Sequence, residues 1–173
     1  MLSGRDLVKS KVTELVVMGG EYPWGREFNF YGDNPLATRH VVSFWPGRIT
    51  FSGYELGVDV LTGAPLTVRA PPDDPVAAAY RWYTGYNISR SSWDPLTMLY
   101  ACEGLGDLFT YGNEDGWNAV IPNGSNAWIP DPTRTDQHWL KLKVDNETAA
   151  RKIDELFWEA ALTAGQLQHR KLK

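Results

Sequence analysis

The chain has 173 residues, a net charge of −4, eight tryptophans and one cysteine, with a sequence pI near 5.4. It is long enough to bury a core of its own, and the absence of a basic stripe argues against nucleic acid or an anionic membrane surface as its main partner. No apolar run approaches the roughly 20 residues needed to span a bilayer, and charges near the start replace the apolar core of a signal peptide, so a cytoplasmic protein is expected. Cys102 alone excludes an internal disulfide and a cysteine zinc site, and its helical spacing points to a core position.

In chain order, Arg5 to Thr13 reads as a helix leading into an apolar strand, Leu15-Val16-Val17-Met18, which ends in Gly19-Gly20. The glycine pair lets the backbone turn and a ligand approach closely. A sheet starting this way has nothing ahead of its first strand, so a segment upstream is expected to be missing. Asn34-Pro35 opens a helix with a capping side chain and a proline at the first helical position; Ala37, Val41, Phe44 and Trp45 form its predicted inward stripe. Ile49-Thr50-Phe51 is a second strand, closing in Ser52-Gly53, and the three elements make a right-handed βαβ unit.

Asp74-Pro75 and Asp94-Pro95 open two further helices, the first with Val76, Tyr80 and Tyr83 on one face and the second with Leu96, Leu99 and Tyr100 apolar. Residues 104–132 are rich in Gly, Asn and Pro and predict irregular loops with a hairpin around Trp117 to Ile121. Trp117, Trp128 and Trp139 could stack on a sugar or simply pin these loops. Ala149, Ala150, Ile153, Leu156, Phe157, Ala160 and Ala161 keep a helical stripe, with Asp154 off it. The fold class is therefore α/β: part of an open, mainly parallel sheet with helices on both faces, in a single domain over 1–173.

Ligands of open α/β sheets lie beyond the carboxyl ends of the strands, which places Glu27 and Asn29 in a loop suited to hydroxyl recognition. Val16-Val17-Met18-Gly19-Gly20, Glu27-Phe28-Asn29 and Ser92-Trp93-Asp94-Pro95-Leu96, in that order and spacing, resemble the carboxyl-terminal half of the inosine-uridine-preferring nucleoside hydrolases. The resemblance implies calcium-dependent hydrolysis of the N-glycosidic bond of ribonucleosides. It implies ribose contacts from Glu27 and Asn29, chiefly to the 5′ hydroxyl, with Met18 under the sugar, and a calcium ligand at Asp94. Capping by an Asx-Pro pair is the other reading of Asp94, a surface ion pair that of Glu27, a turn residue that of Asn29, and loop packing that of Trp93. Where many members carry histidine, this chain has Trp93, which can stack on a nucleobase but not protonate it.

The family's amino-terminal Asp-x-Asp-x-x-x-Asp-Asp cluster, source of most calcium ligands and of the general base, has no counterpart here. The expected state is an amino-terminally truncated, impaired hydrolase, acting as a homo-oligomer or with a complementing amino-terminal half. A non-catalytic ribose- or carbohydrate-binding module, or an inactive truncated product, is the alternative. His40, His138 and His169 form no zinc pattern, and no nucleophile elbow, phosphate loop or dinucleotide fingerprint is present.

Overall fold

The structure, a computed structural model, describes residues 2–112 and 114–171, with side chains through Thr163. Its elements begin with α1 (Gly4–Lys11), β1 (Glu14–Met18), β2 (Trp24–Gly25), α2 (Phe28–Tyr31), α3 (Pro35–Phe44), β3 (Arg48–Ser52) and α4 (Tyr54–Gly57). They continue with β4 (Leu61–Thr62), α5 (Ala64–Arg69), α6 (Pro75–Tyr83), β5 (Arg90–Ser91) and α7 (Trp93–Glu103). The last are β6 (Phe109–Tyr111), β7 (Gly116–Val120), β8 (Asn126–Pro130), β9 (Gln137–Leu142) and α8 (Asn146–Lys171). The chain forms two compact units, one of Met1–Gly57 with Trp93–Lys143 and one of Val58–Ser92 with Val144–Lys173.

The first unit is α/β. Its main sheet has the order β1-β3-β9-β6; β1, β3 and β9 run parallel, and β6 is antiparallel at the edge. Alternation along β3 sends Ile49 and Phe51 to one face and Thr50 and Ser52 to the other. On the first face Ile49 and Phe51 meet Tyr22, Phe30, Val42 of α3, Val120 and Trp139 in one buried cluster. On the second face α7 is tied down by hydroxyls, with Tyr100 Oη donating to Glu14 at 3.1 Å and lying 3.3 Å from Thr50 Oγ1. Helices thus cover both faces of the sheet, and β1, α3 and β3 form the expected βαβ unit.

The three-stranded antiparallel sheet β2-β8-β7 contains the expected hairpin, β7 with β8. Trp139 is buried and stacked on Tyr22, Trp128 packs against the same cluster, and Trp117 lies under the Arg134 guanidinium. These three rings pin loops rather than form an open platform. In α3 Val42 enters the core and Trp45 packs against it as predicted, whereas Val41 and Phe44 of the predicted inward stripe are exposed beside Val8 of α1, lining a groove of about 370 Å³. Cys102 is likewise on the exposed side of α7, not in the core.

In the second unit β4 pairs with β5. Ala77 of α6 packs with Leu66, Ala70 and Ala161, against which Phe157 lies. The buried face of α6 therefore runs through Ala77, while Val76 and Tyr83 are exposed, because the close helix contacts here need a small residue. Asp154, off the apolar stripe of α8, accepts the Gly63 N–H at 2.8 Å and closes the turn after β4. Gly63 has φ of +99° and the Tyr80 ring stands where a Cβ would be, so only glycine suits the position.

Phe51 is fully buried at the centre of the first cluster, in contact with the rings of Tyr22 and Phe30. Phe51→Ala should destabilise the protein by about 3–5 kcal/mol, read as a lower midpoint in urea unfolding.

Candidate functional site

Parallel pairing brings Met18 level with Ser52, and the two strands leave the sheet side by side. Gly19 N donates to Ser52 O at 3.0 Å, and Tyr54 N donates to Gly20 O at 2.9 Å, so the pairing extends beyond both strands. The glycines are required here. A Cβ on Gly19 would collide with the Phe30 ring, and Gly20 has φ of +79°.

Glu27 is buried and braces this turn with both oxygens: Oε2 accepts Gly20 N–H at 3.1 Å and Oε1 accepts Asn29 N–H at 2.8 Å, capping α2. Glu27 is therefore not the surface charge of the alternative reading, and the neighbouring Arg26 lies over the Tyr31 ring at 3.8 Å. Asn29 is exposed, and its Nδ2 approaches Met18 Sδ at 2.8 Å and Met18 O at 3.4 Å. Met18, Glu27 and Asn29 are therefore one cluster at the carboxyl end of β1. Met18 shares its sheet face with Ser52, the face that α7 covers.

Trp93 is the first residue of α7. Its indole stacks on Tyr54 at 5.6 Å between centroids and an interplanar angle of 29°, and Nε1 donates to Tyr54 O at 2.7 Å. Gly57 packs directly on it, and a Cβ there would lie 2.8 Å from the Trp93 backbone and ring. Because Tyr54 N–H is bonded to Gly20, Trp93 is fixed through Tyr54 to the same glycine turn as the Met18 cluster. Ser52 Oγ, buried at the end of β3, has no hydrogen-bond partner.

Asp94 occupies the second helical position and is exposed. Asn34 and Asp74 cap their helices by accepting from Ala37 and Ala77, but no such bond forms at Asp94, so the Asx-Pro reading of three caps holds for two. As a metal ligand Asp94 stands alone. Among the described residues no group of three or more His, Cys, Asp or Glu is placed to hold a metal ion. Calcium takes six to eight oxygens, so these residues do not fit it as a bound cofactor. His40 lies tilted against Phe44, His138 stacks on Tyr111 at 4.0 Å, and the side chain of His169 lies outside the described residues.

Residues without a motif complete the site. Glu55, one past Tyr54, accepts Tyr22 N–H on Oε2 at 3.0 Å. The glycine at 53 makes room for it, since a Cβ there would fall 2.5 Å from both carboxylate oxygens. Desolvation, helped by the Glu21 charge and opposed by two amide hydrogen bonds, pushes the Glu55 carboxyl up to about 7. Asn118 and Asn126 hold the loop from the other side: Asn118 Nδ2 donates to Tyr22 Oη at 2.9 Å, and Asn126 bonds both the N–H and the carbonyl of Glu21 at 3.0 Å. Burial, with the charges of Glu55 and Glu27, raises the Tyr22 phenol, which stays protonated. Only the hairpin's return across the sheet brings these residues together, and local sequence carries no sign of it.

Compared with known proteins, the sequence matches no family model and no curated protein. No described helix is long and apolar enough to cross a membrane.

A carboxyl whose folded pKa lies above its unfolded value favours the fold when protonated. The contribution is complete below the unfolded value near 4.5 and is lost as pH rises to about 7. Carbon-detected NMR should show Glu55 titrating with a midpoint near 7, and thermal unfolding should show a decline in stability over that interval that Glu55→Gln flattens.

Proposed function

We propose that this chain is a nucleoside N-ribohydrolase-like protein that holds a ribonucleoside beyond the carboxyl ends of β1 and β3. The observation that supports this reading most is the convergence of Met18, Glu27 and Asn29 with the Trp93–Tyr54 pair around one glycine turn. In this reading Asn29 donates to and accepts from the ribose 5′ hydroxyl. A carboxylate offers about four acceptor positions, so Glu27 keeps capacity for that hydroxyl beside its two backbone donors. Met18 lies beneath the sugar, and the Trp93 indole contacts the base.

The reaction proposed is hydrolysis of the N-glycosidic bond by water. Calcium enters only as an ion to which Asp94 would give one oxygen, and no step is assigned to it. The remaining ligands and the base that activates water would come from a complementing amino-terminal segment or a second chain, so this chain alone turns over little or no substrate. The isolation of Asp94 from other carboxylates favours, as a second reading, a non-catalytic ribose-binding module built on the same residues.

Calorimetry with inosine, uridine and free ribose tests both readings. Nucleosides should bind, Asn29→Ala should weaken them about tenfold through the lost hydrogen bonds, and release of base should be negligible with calcium or with chelator. Chelator-sensitive turnover abolished by Asp94→Ala would show that the chain completes a metal site unaided. Absence of binding by every nucleoside and by ribose would remove both readings.

A further inference from the structure

The second unit holds a cavity of about 500 Å³, walled by β4 and α5 on one side and by α8 on the other. Small-molecule sites occupy roughly 300–1,000 Å³, so a ligand of modest size fits it. Leu66, buried in the core of this unit, lines the cavity together with Leu61 and Trp158, which are 53% and 37% exposed. Large apolar side chains left wet inside a concavity gain by covering an apolar ligand body.

Along α8 the cavity is lined by Glu147, Arg151, Asp154, Glu155 and Trp158, which recur at the spacing of a single helix face. Of the three carboxylates, Asp154 is the one withdrawn from water: it is half-buried, whereas Glu147 and Glu155 are exposed. Its Oδ1 accepts the Gly63 N–H at 2.8 Å, and that amide alone opposes the effect of burial on its charge. The two guanidiniums of the cavity do not balance it. Arg151 Nη2 donates to Thr148 Oγ1 at 3.2 Å, toward Asp145 at the start of α8, and Arg69 is exposed on the last turn of α5. A carboxylate desolvated without a counter-ion is costly, and a cationic ligand recovers that cost.

We propose that this cavity binds a small organic ammonium ion with an apolar body, of the arylalkylamine class. Its N–H groups donate to Asp154, its positive charge lies against the Trp158 indole one turn further along α8, and its body covers Leu61 and Leu66. An α-amino acid fits less well, because its own carboxylate would stand beside Asp154, where no guanidinium acts. The assignment is independent of the nucleoside reading.

The test is NMR titration of the nitrogen-15-labelled full chain with three ligands of one size. These are phenethylamine, 2-phenylethanol, in which a hydroxyl replaces the ammonium, and 3-phenylpropionate, which carries a negative charge. Phenethylamine should bind about tenfold more tightly than the alcohol, the effect of one hydrogen bond to a charged group. The largest shifts should fall on the Gly63 amide and the Trp158 indole. Asp154→Asn, whose carboxamide oxygen still accepts the Gly63 N–H, should remove the preference for the amine. Glu159→Gln, which takes one charge from α8 outside the cavity, should leave it unchanged. Equal binding of amine and alcohol, a preference kept by Asp154→Asn or lost in Glu159→Gln, or shifts centred elsewhere would each overturn the assignment. Tighter binding of 3-phenylpropionate would mark an anion site on Arg69 and Arg151 and overturn it too, as would the absence of binding by all three. The comparison of the three ligands on the native chain decides the matter even if Asp154→Asn does not fold.

Discussion

The parallel pairing of β1 with β3, carried past the strands by Gly19 N to Ser52 O and Tyr54 N to Gly20 O, is the constraint from which the candidate site follows. Two strands that leave a sheet in register must turn away at the same level, and only glycine allows the turns seen here. Those turns set Glu27 and Glu55 on the backbone N–H groups of Gly20 and Tyr22 respectively, along the same loop. Thr50 and Tyr100, sharing Glu14, fix α7 to the same pair of strands, and so determine where its first residue, Trp93, stands. A slip of one residue of β1 along β3 would turn Met18 to the face opposite Ser52.

The chemistry of the two glutamates shows how environment separates identical side chains. Glu27 replaces its water with two aligned amides and caps a short helix, so it serves as a fixed acceptor. Glu55 is desolvated without a compensating cation and titrates near neutrality, which makes it fit to hold and release a proton. The asparagines of the β7–β8 hairpin matter for Glu55, because Asn126 holds the Glu21 backbone and Asn118 the hydroxyl of Tyr22, whose N–H Glu55 accepts.

The parts of the fold legible in sequence were those governed by local rules. Leu15 to Met18 announced a strand by its apolar run, Asn34 and Asp74 announced helix starts by cap and proline, and Ala149, Ile153 and Ala161 gave the buried stripe of α8. Strand β9 was not legible. Its Gln137 and His138 read as polar, yet Gln137 is buried because its side chain bonds Asn118 N and Val42 O, and the strand lies between β3 and β6. The same holds for the site. Glu27, Asn29, Met18 and Trp93 were marked by ordered motifs, whereas Glu55 gained its character from its place against the Tyr22 backbone, a neighbour distant in sequence.

The central claim is that the crevice beyond β1 and β3 receives a ribonucleoside. Titrating inosine into the nitrogen-15-labelled chain and following its amide and indole NMR signals tests this directly. The account predicts that the largest shifts fall on the backbone N–H of Gly19 and Gly20, the Asn29 side-chain amide and the Trp93 indole. Shifts centred instead on the exposed rings of Trp82, Tyr83 and Tyr86, or none at saturating inosine, would contradict it.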